Sequence, residues 1–283
     1  MKKKFSFFAS ALLLSGSLFA FDVDMSVGAH DFVVSGIVDD TPKDGISSGT
    51  SHTLGVNIGI IARHTTPSKI NFLAKAEAFL DNDNDHLDPD HIPVWFAFLF
   101  EADGNLYDVN ENNRFKWYVL MDNKQNTVSC IEREVRQHVG VGYEFATQRV
   151  KLDLNAYLGF YYIEFDDDTP VARGYTRQDT DDGEASNVFE LKMAYDFTKN
   201  FSLSAYAKQY SANTGMENLE TDYELLAVYK NAPFLVENSS LNFEIKHSQY
   251  SLDRFFKNPP GIAILPFDND TLIQASVSIP LDY

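Results

Sequence analysis

Cysteine is almost missing from this chain. Cys130 is the single one among 283 residues. No intramolecular disulfide can form, and the lone thiol is assigned no chemistry. Long apolar runs are missing too. Past the first twenty residues nothing approaches the ~18–20 consecutive apolar residues of a membrane helix. That does not exclude crossing a bilayer as strands, because half of every barrel strand faces the lumen. Positive charge is scarce, with 23 Lys and Arg against 41 Asp and Glu, a net charge of −18. Setting aside Lys2, Lys3 and Lys4 takes three positive charges away, from −18 to −21. Such a chain is a poor partner for nucleic acid, whose phosphates need Lys and Arg.

What is present is alternation. From Val150 to Tyr162 the odd-and-even pattern places Val150, Leu152, Leu154, Ala156, Leu158, Phe160 and Tyr162 on one face of a strand. Lys151, Asp153, Asn155, Tyr157, Gly159 and Tyr161 fall on the other. Upstream, Val135, Val139, Val141, Tyr143 and Phe145 share a face, interrupted by Gln137, against Glu134, Arg136, His138 and Glu144. A short turn near Ala146–Gln148 makes the two a hairpin. Soluble strands run five or six residues, whereas roughly 9–11 tilted residues cross a bilayer. The hairpin alone suits a membrane barrel or a soluble sandwich or lipocalin-like barrel equally well.

The whole chain separates them. Residues 1–20 carry Lys2–Lys4, an apolar Phe5–Leu14 and Ala20 as a cut site, the pattern of a secretory leader. Residues 21–283 then form one domain of about twelve amphipathic strands without a repeat or boundary. Short turns are expected at 65–68, 103–105, 147–148, 198–200 and 231–239. Longer polar connections are expected at 38–49, 81–92, 122–130, 166–184, 213–219 and 251–269. With both termini on one side, the long connections all fall on the other, the asymmetry of bacterial barrels. The last strand alternates Ile273, Ala275, Val277, Ile279, Leu281 and Tyr283 up to the final residue.

Leader, long alternating strands, loop asymmetry and an aromatic last residue together resemble the outer-membrane β-barrels of Gram-negative bacteria, with porin-like small channels the nearest group. Pro280 departs from the pattern and is tolerable at a strand edge. The resemblance implies an all-β, single up-and-down transmembrane barrel in the outer membrane. It implies passive passage of small hydrophilic solutes and no catalysis. Its partners would be outer-membrane lipid, lipopolysaccharide, and the assembly machinery that reads a terminal strand ending at Tyr283. The alternative is a non-channel barrel with acidic surface loops for binding or envelope integrity.

The non-lipid face supplies candidate pore-lining residues. The basic ones are Arg63, Lys75, Arg114, Lys116, Arg136, Lys151, Lys192, Lys208, Lys230 and Lys246. The acidic ones are Glu77, Glu134, Glu144, Asp153, Glu190, Asp196, Glu224 and Glu244, and His138 joins them. On this reading the lumen is nearly balanced and the acidic excess lies in the loops. These charges either line a wet pore or pair across the lumen and fill it, and about twelve strands is an intermediate size that permits both.

Other motifs are weaker. Asp81, Asp83 and Asp85 begin like a calcium loop, but His86 replaces its glycine and Ile92 its final glutamate. A looser Ca²⁺ or Mg²⁺ site on the acidic loops is the remaining cofactor expectation. His247 and Ser248 are adjacent, so they point to opposite faces and make no His-x-Ser hydrolase pair. Tyr143, Phe145, Phe160, Tyr162, Phe197 and Phe201 sit near strand ends, where interfacial aromatic girdles belong.

Overall fold

Twelve long strands follow one another. They are β1 (Asp22–Ile37), β2 (Gly49–Thr65), β3 (Asn71–Asp81), β4 (Val94–Asn110), β5 (Asn113–Gln125) and β6 (Ile131–Ala146). The second half comprises β7 (Val150–Phe165), β8 (Asp181–Asp196), β9 (Phe201–Ala212), β10 (Glu217–Lys230), β11 (Ser240–Tyr250) and β12 (Asn269–Pro280). The computed structural model describes residues 21–37, 49–82, 94–127, 131–165, 171, 174–176, 181–212, 217–231, 236–252, 264–265 and 267–281. The leader, Cys130 and Tyr283 lie outside them.

Each strand pairs antiparallel with its chain neighbours, and β1 closes on β12 through Asp24↔Pro280 to Ser35↔Asn269. The sheet is a closed barrel with no free edge to manage along its wall. Pro280 is the last residue of β12, and the Leu281 amide resumes donation to the Val23 carbonyl, so the missing proline donor costs little.

Alternation is what assigns the two faces. On β2, Leu54, Val56, Ile58 and Ile60 are exposed outward, while Ser51, Thr53 and Asn57 are buried inward. On β7, Leu154, Leu158 and Phe160 are exposed, while Asp153, Asn155, Tyr157 and Tyr161 are buried. Exposed apolar side chains beside buried charges are the inverse of a water-soluble fold, and they suit a barrel whose outside is hydrocarbon. The β2 stripe from Leu54 to Ala62, tilted as barrel strands are, covers about 20–25 Å of height, the height of the apolar band in such barrels. Aromatics gather near the turn end of this stripe, where Tyr195 meets Phe197 at 4.7 Å and Phe115 meets Tyr143 at 5.5 Å between ring centroids.

A second, apolar cluster fills the end of the lumen opposite the turns. It contains Phe32, Phe79, Trp95, Ile163, Phe165 and Val188 from the wall, and Tyr175, Leu252, Ile264, Leu265 and Phe267 from between strands. Trp95 stacks on Phe79 at 3.7 Å. Burying these side chains draws the connecting segments inward, since each large one contributes about 1.5–3 kcal/mol when removed from water.

The strand boundaries differ from the sequence expectation in several places. The turn expected at Asp103-Gly104-Asn105 does not exist. β4 runs on to Asn110, and the chain turns at Glu111–Asn112. Gly104 pairs with Trp117, whose indole nitrogen lies 2.6 Å from where a glycine Cβ would stand. The glycine leaves room for a ring to lie across the strand, as an aromatic shield over a strand glycine does. Beyond Asp103, β4 has no β3 partner, and two register shifts twist that protruding edge. Elsewhere strands extend into expected connections. Asp81 ends β3, Gln125 ends β5, β8 begins at Asp181, β10 begins at Glu217, and β12 begins at Asn269.

Candidate functional site: the charged lumen

The inward faces of the strands place charges around a common interior, and many of them meet across it. Arg136, on β6, is fully buried. Its guanidinium donates to Glu220 at 3.0 Å and Asp222 at 3.1 Å, both on β10, four strands away around the wall. It also lies 3.2 Å from Asp122 on β5 and 3.6 Å from Glu134 on its own strand. One cation thus holds four carboxylates. The Tyr161 hydroxyl lies 2.9 Å from an oxygen of both Glu134 and Glu220 and shares its one proton between them, and the Tyr210 ring lies 4.9 Å from the guanidinium carbon. Glu134, Glu220 and Asp222 are as inaccessible as Arg136 itself, each at 0% exposure. Charges buried to this extent persist only when paired and hydrogen-bonded.

Further pairs cross the interior. Lys75 on β3 reaches Glu244 on β11 at 3.4 Å and its strand neighbour Glu77 at 2.8 Å. Lys192 on β8 donates to Glu101 on β4 at 2.9 Å. Lys246 on β11 lies 3.8 Å from Asp122. Lys124 on β5 lies 3.4 Å from Glu134 and donates to the Tyr250 hydroxyl at 3.4 Å. Around the wall, Glu190 accepts from Asn155 at 2.9 Å and Tyr157 at 2.6 Å, and Lys208 lies 3.2 Å away. Nearer the turns, Glu144 gathers Arg114, Lys116 and Lys151, each at 3.0 or 3.1 Å, and Lys116 also meets Asp103. Lys151 is also 3.3 Å from Asp153.

Between these pairs lies a cavity of about 340 Å³. Seven carboxylates and six lysines line it: Glu77, Glu101, Asp122, Asp153, Glu224, Glu244 and Asp270, with Lys75, Lys124, Lys151, Lys192, Lys208 and Lys246. The apolar end cluster contributes Phe32, Phe79 and Trp95 to the same wall.

Most of the charges selected from the sequence face this interior. Arg63 is different: it is exposed at the turn-end rim, where it pairs with Asp24. Lys230 and Asp196 are exposed beside turns as well. His138 is buried and bonds the Ser186 hydroxyl at 2.6 Å. The expected near-balance of the lumen does not hold, because several acidic residues had escaped selection. Asp122 and Lys124 continue the face of Lys116 and Tyr118 past the assumed end of that strand. Glu220 and Asp222 share the parity of Glu224 on β10, which starts at Glu217, ahead of the strand expected from Asp222. Glu101 and Asp103 were hidden by the turn assigned at Gly104, and Asp270 by a late start to β12.

Of the calcium-like triplet only Asp81 is among the described residues. Asp81 points inward from β3 and bonds His30 at 2.6 Å, so it is wall and not loop. Asp83 and Asp85 lie outside the described residues. Among the described residues no group of three His, Cys, Asp or Glu is arranged to hold a metal. His247 faces outward and bonds Thr271 at 2.8 Å, while Ser248 faces inward, as their adjacency required.

No protein-family model and no curated relative matches the sequence. Among solved structures, the chain is similar to the NanC porin at 10% identity, covering 92% of this chain and 100% of that one, with a TM-score of 0.46. It is similar to the KdgM porin, solved with disordered oligogalacturonate, at 8% identity over 91% and 99% of the two chains, TM-score 0.43. It is also similar to the outer-membrane channel DcaP of Acinetobacter baumannii, at 11% identity over 92% and 97%, TM-score 0.40. A closed twelve-stranded antiparallel wall, apolar outside and charged within, gives this chain the architecture of a transmembrane β-barrel.

Proposed function

We propose that this protein resides in the outer membrane and conducts small hydrophilic solutes passively through a narrow, charge-lined lumen, without catalysing a reaction. The observation that carries the reading is the polar cavity inside a closed wall whose exterior is apolar. Side chains that line a water-filled path must be hydrated or paired, and charged rings are how β-barrel pores set their preference. In this setting the acidic connections at 82–91 and 166–180 would face lipopolysaccharide, bridged by Ca²⁺ or Mg²⁺. Tyr283 would present the last strand to the assembly machinery.

A second reading is supported by one specific feature. The Arg136 layer is fully buried and tied to the opposite wall, which favours a barrel that does not conduct and instead serves binding or envelope integrity. Refolded protein that migrates faster before boiling than after, and that produces discrete conductance steps in planar bilayers, supports the channel. A heat-modifiable barrel that never conducts supports the second reading. Recovery in the periplasmic fraction, with no resistance to SDS at room temperature, removes both.

A further inference from the structure

Every lysine on the cavity wall has a carboxylate within 4.0 Å. Lys75 has Glu77 and Glu244, Lys124 has Glu134, Lys151 has Asp153, Lys192 has Glu101, Lys208 has Glu190, and Lys246 has Asp122. The carboxylates are not matched in return. Glu224 on β10 and Asp270 on β12 line the cavity, and no described cation lies within 4.0 Å of either. Among the described residues Asp270 accepts only the Tyr250 hydroxyl, at 2.8 Å. Between their strands, on β11, the Ser248 hydroxyl lines the same cavity. Ser248 is 1% exposed, and its oxygen has no hydrogen-bond partner among the described residues. Ser248 is the register partner of both Asp270 and Asp222. The β10–β12 wall thus carries two carboxylates with hydroxyl partners, Tyr206 for Glu224 and Tyr250 for Asp270, but no cation partner among the described residues, and beside them the unbonded Ser248 oxygen.

Charge balance points the same way. Seven carboxylates face six lysines around the cavity, and the adjoining layer adds Glu134, Glu220 and Asp222 against Arg136 alone. A low-dielectric wall focuses such an excess into a negative potential along the path. Arg136 also demonstrates that this wall binds a guanidinium, since two β10 carboxylates hold it at 3.0 and 3.1 Å.

From these observations we infer that the lumen selects cations, and that its solutes are small amines or guanidinium compounds that dwell at Glu224, Ser248 and Asp270. The inference rests on the channel reading for the word solute. It rests on the lumen charges alone for the preference.

Two measurements keep the two claims apart. In planar bilayers under a tenfold KCl gradient, the reversal potential gives the K⁺ to Cl⁻ permeability ratio. A ratio above about 3 is expected, falling toward 1 in the double variant Glu224→Gln, Asp270→Asn. A conducting barrel with a ratio at or below 1, or one unchanged by the double substitution, overturns the inference and leaves the channel standing. The second measurement needs no conduction. Trp95 lines the cavity, and only Trp117 shares its fluorescence. In a Trp117→Phe protein folded in uncharged detergent, Cs⁺ should quench Trp95 more strongly than I⁻, with acrylamide as the neutral reference. The order should reverse or level in the double variant. Stronger quenching by I⁻ in the unsubstituted lumen overturns the inference even if no current is ever seen.

Discussion

Removing the Arg136 side chain tests the lumen most directly. In Arg136→Met the buried carboxylates Asp122, Glu134, Glu220 and Asp222 lose their common cation, three of them at 0% exposure. Each contact at 3.0–3.2 Å is worth about 5 kcal/mol of Coulomb attraction at an effective dielectric near 20. Most of that attraction is offset by desolvation of the guanidinium and by repulsion among the acids. Breaking one side of a buried pair typically costs about 3–5 kcal/mol, because the stranded charge stays buried. A loss of that size is therefore expected in urea-driven unfolding of the barrel from lipid vesicles. Adding Glu220→Gln and Asp222→Asn to Arg136→Met should recover part of it, since the stranded charge is then removed. If the channel reading holds, single-channel conductance should also rise, because the cross-lumen tie from β6 to β10 is gone. A stability loss under about 1 kcal/mol would refute the buried-layer argument, since this is the range of solvent-exposed ion pairs. It would mean that water, and not protein, surrounds Arg136.

Three further outcomes follow from the wall. Ile58 sits at the centre of the outward β2 stripe, so Ile58→Arg should cost about 2–4 kcal/mol in the same vesicle assay. His52→Arg at the exposed end of that stripe should cost no more than about 1 kcal/mol, and equal costs would sink the lipid-facing assignment. Gly159→Ala places a methyl 2.7 Å from the His138 backbone Cα, and a shifted urea midpoint equivalent to about 1–3 kcal/mol is expected. Trp117→Ala uncovers Gly104 and should destabilise the β4–β5 hairpin, seen as faster hydrogen exchange in residues 104–110 than in β7.

The two faces of β7 show why much of the fold could be read in advance. A strand alternates sides at every residue, so Leu152 to Tyr162 declare their face without knowledge of any neighbour. The same rule assigns Arg136, Glu144 and Lys151 to the interior. It fails at Gly104, where a turn-forming dipeptide stands in mid-strand because Trp117 lies over it. That contact joins two strands, and no local pattern announces it. The misplaced turn concealed Glu101 and Asp103, and with the late strand starts at β10 and β12 it made an acidic lumen look balanced.

Periodicity, length and spacing by themselves determined about twelve amphipathic strands and the two faces of each, and the resemblance to outer-membrane barrels supplied the closed wall and its lipid side. The strands and their faces follow from properties of one strand and its nearest turn. Which charges meet is a different kind of fact. Arg136 lies 84 residues from Glu220 and four strands away around the wall. Their contact depends on the closure of β1 on β12 and on the register of every pairing between them. Only the tertiary structure decided that Arg136 bridges the lumen, that every lysine of the cavity is matched, and that Glu224 and Asp270 are not.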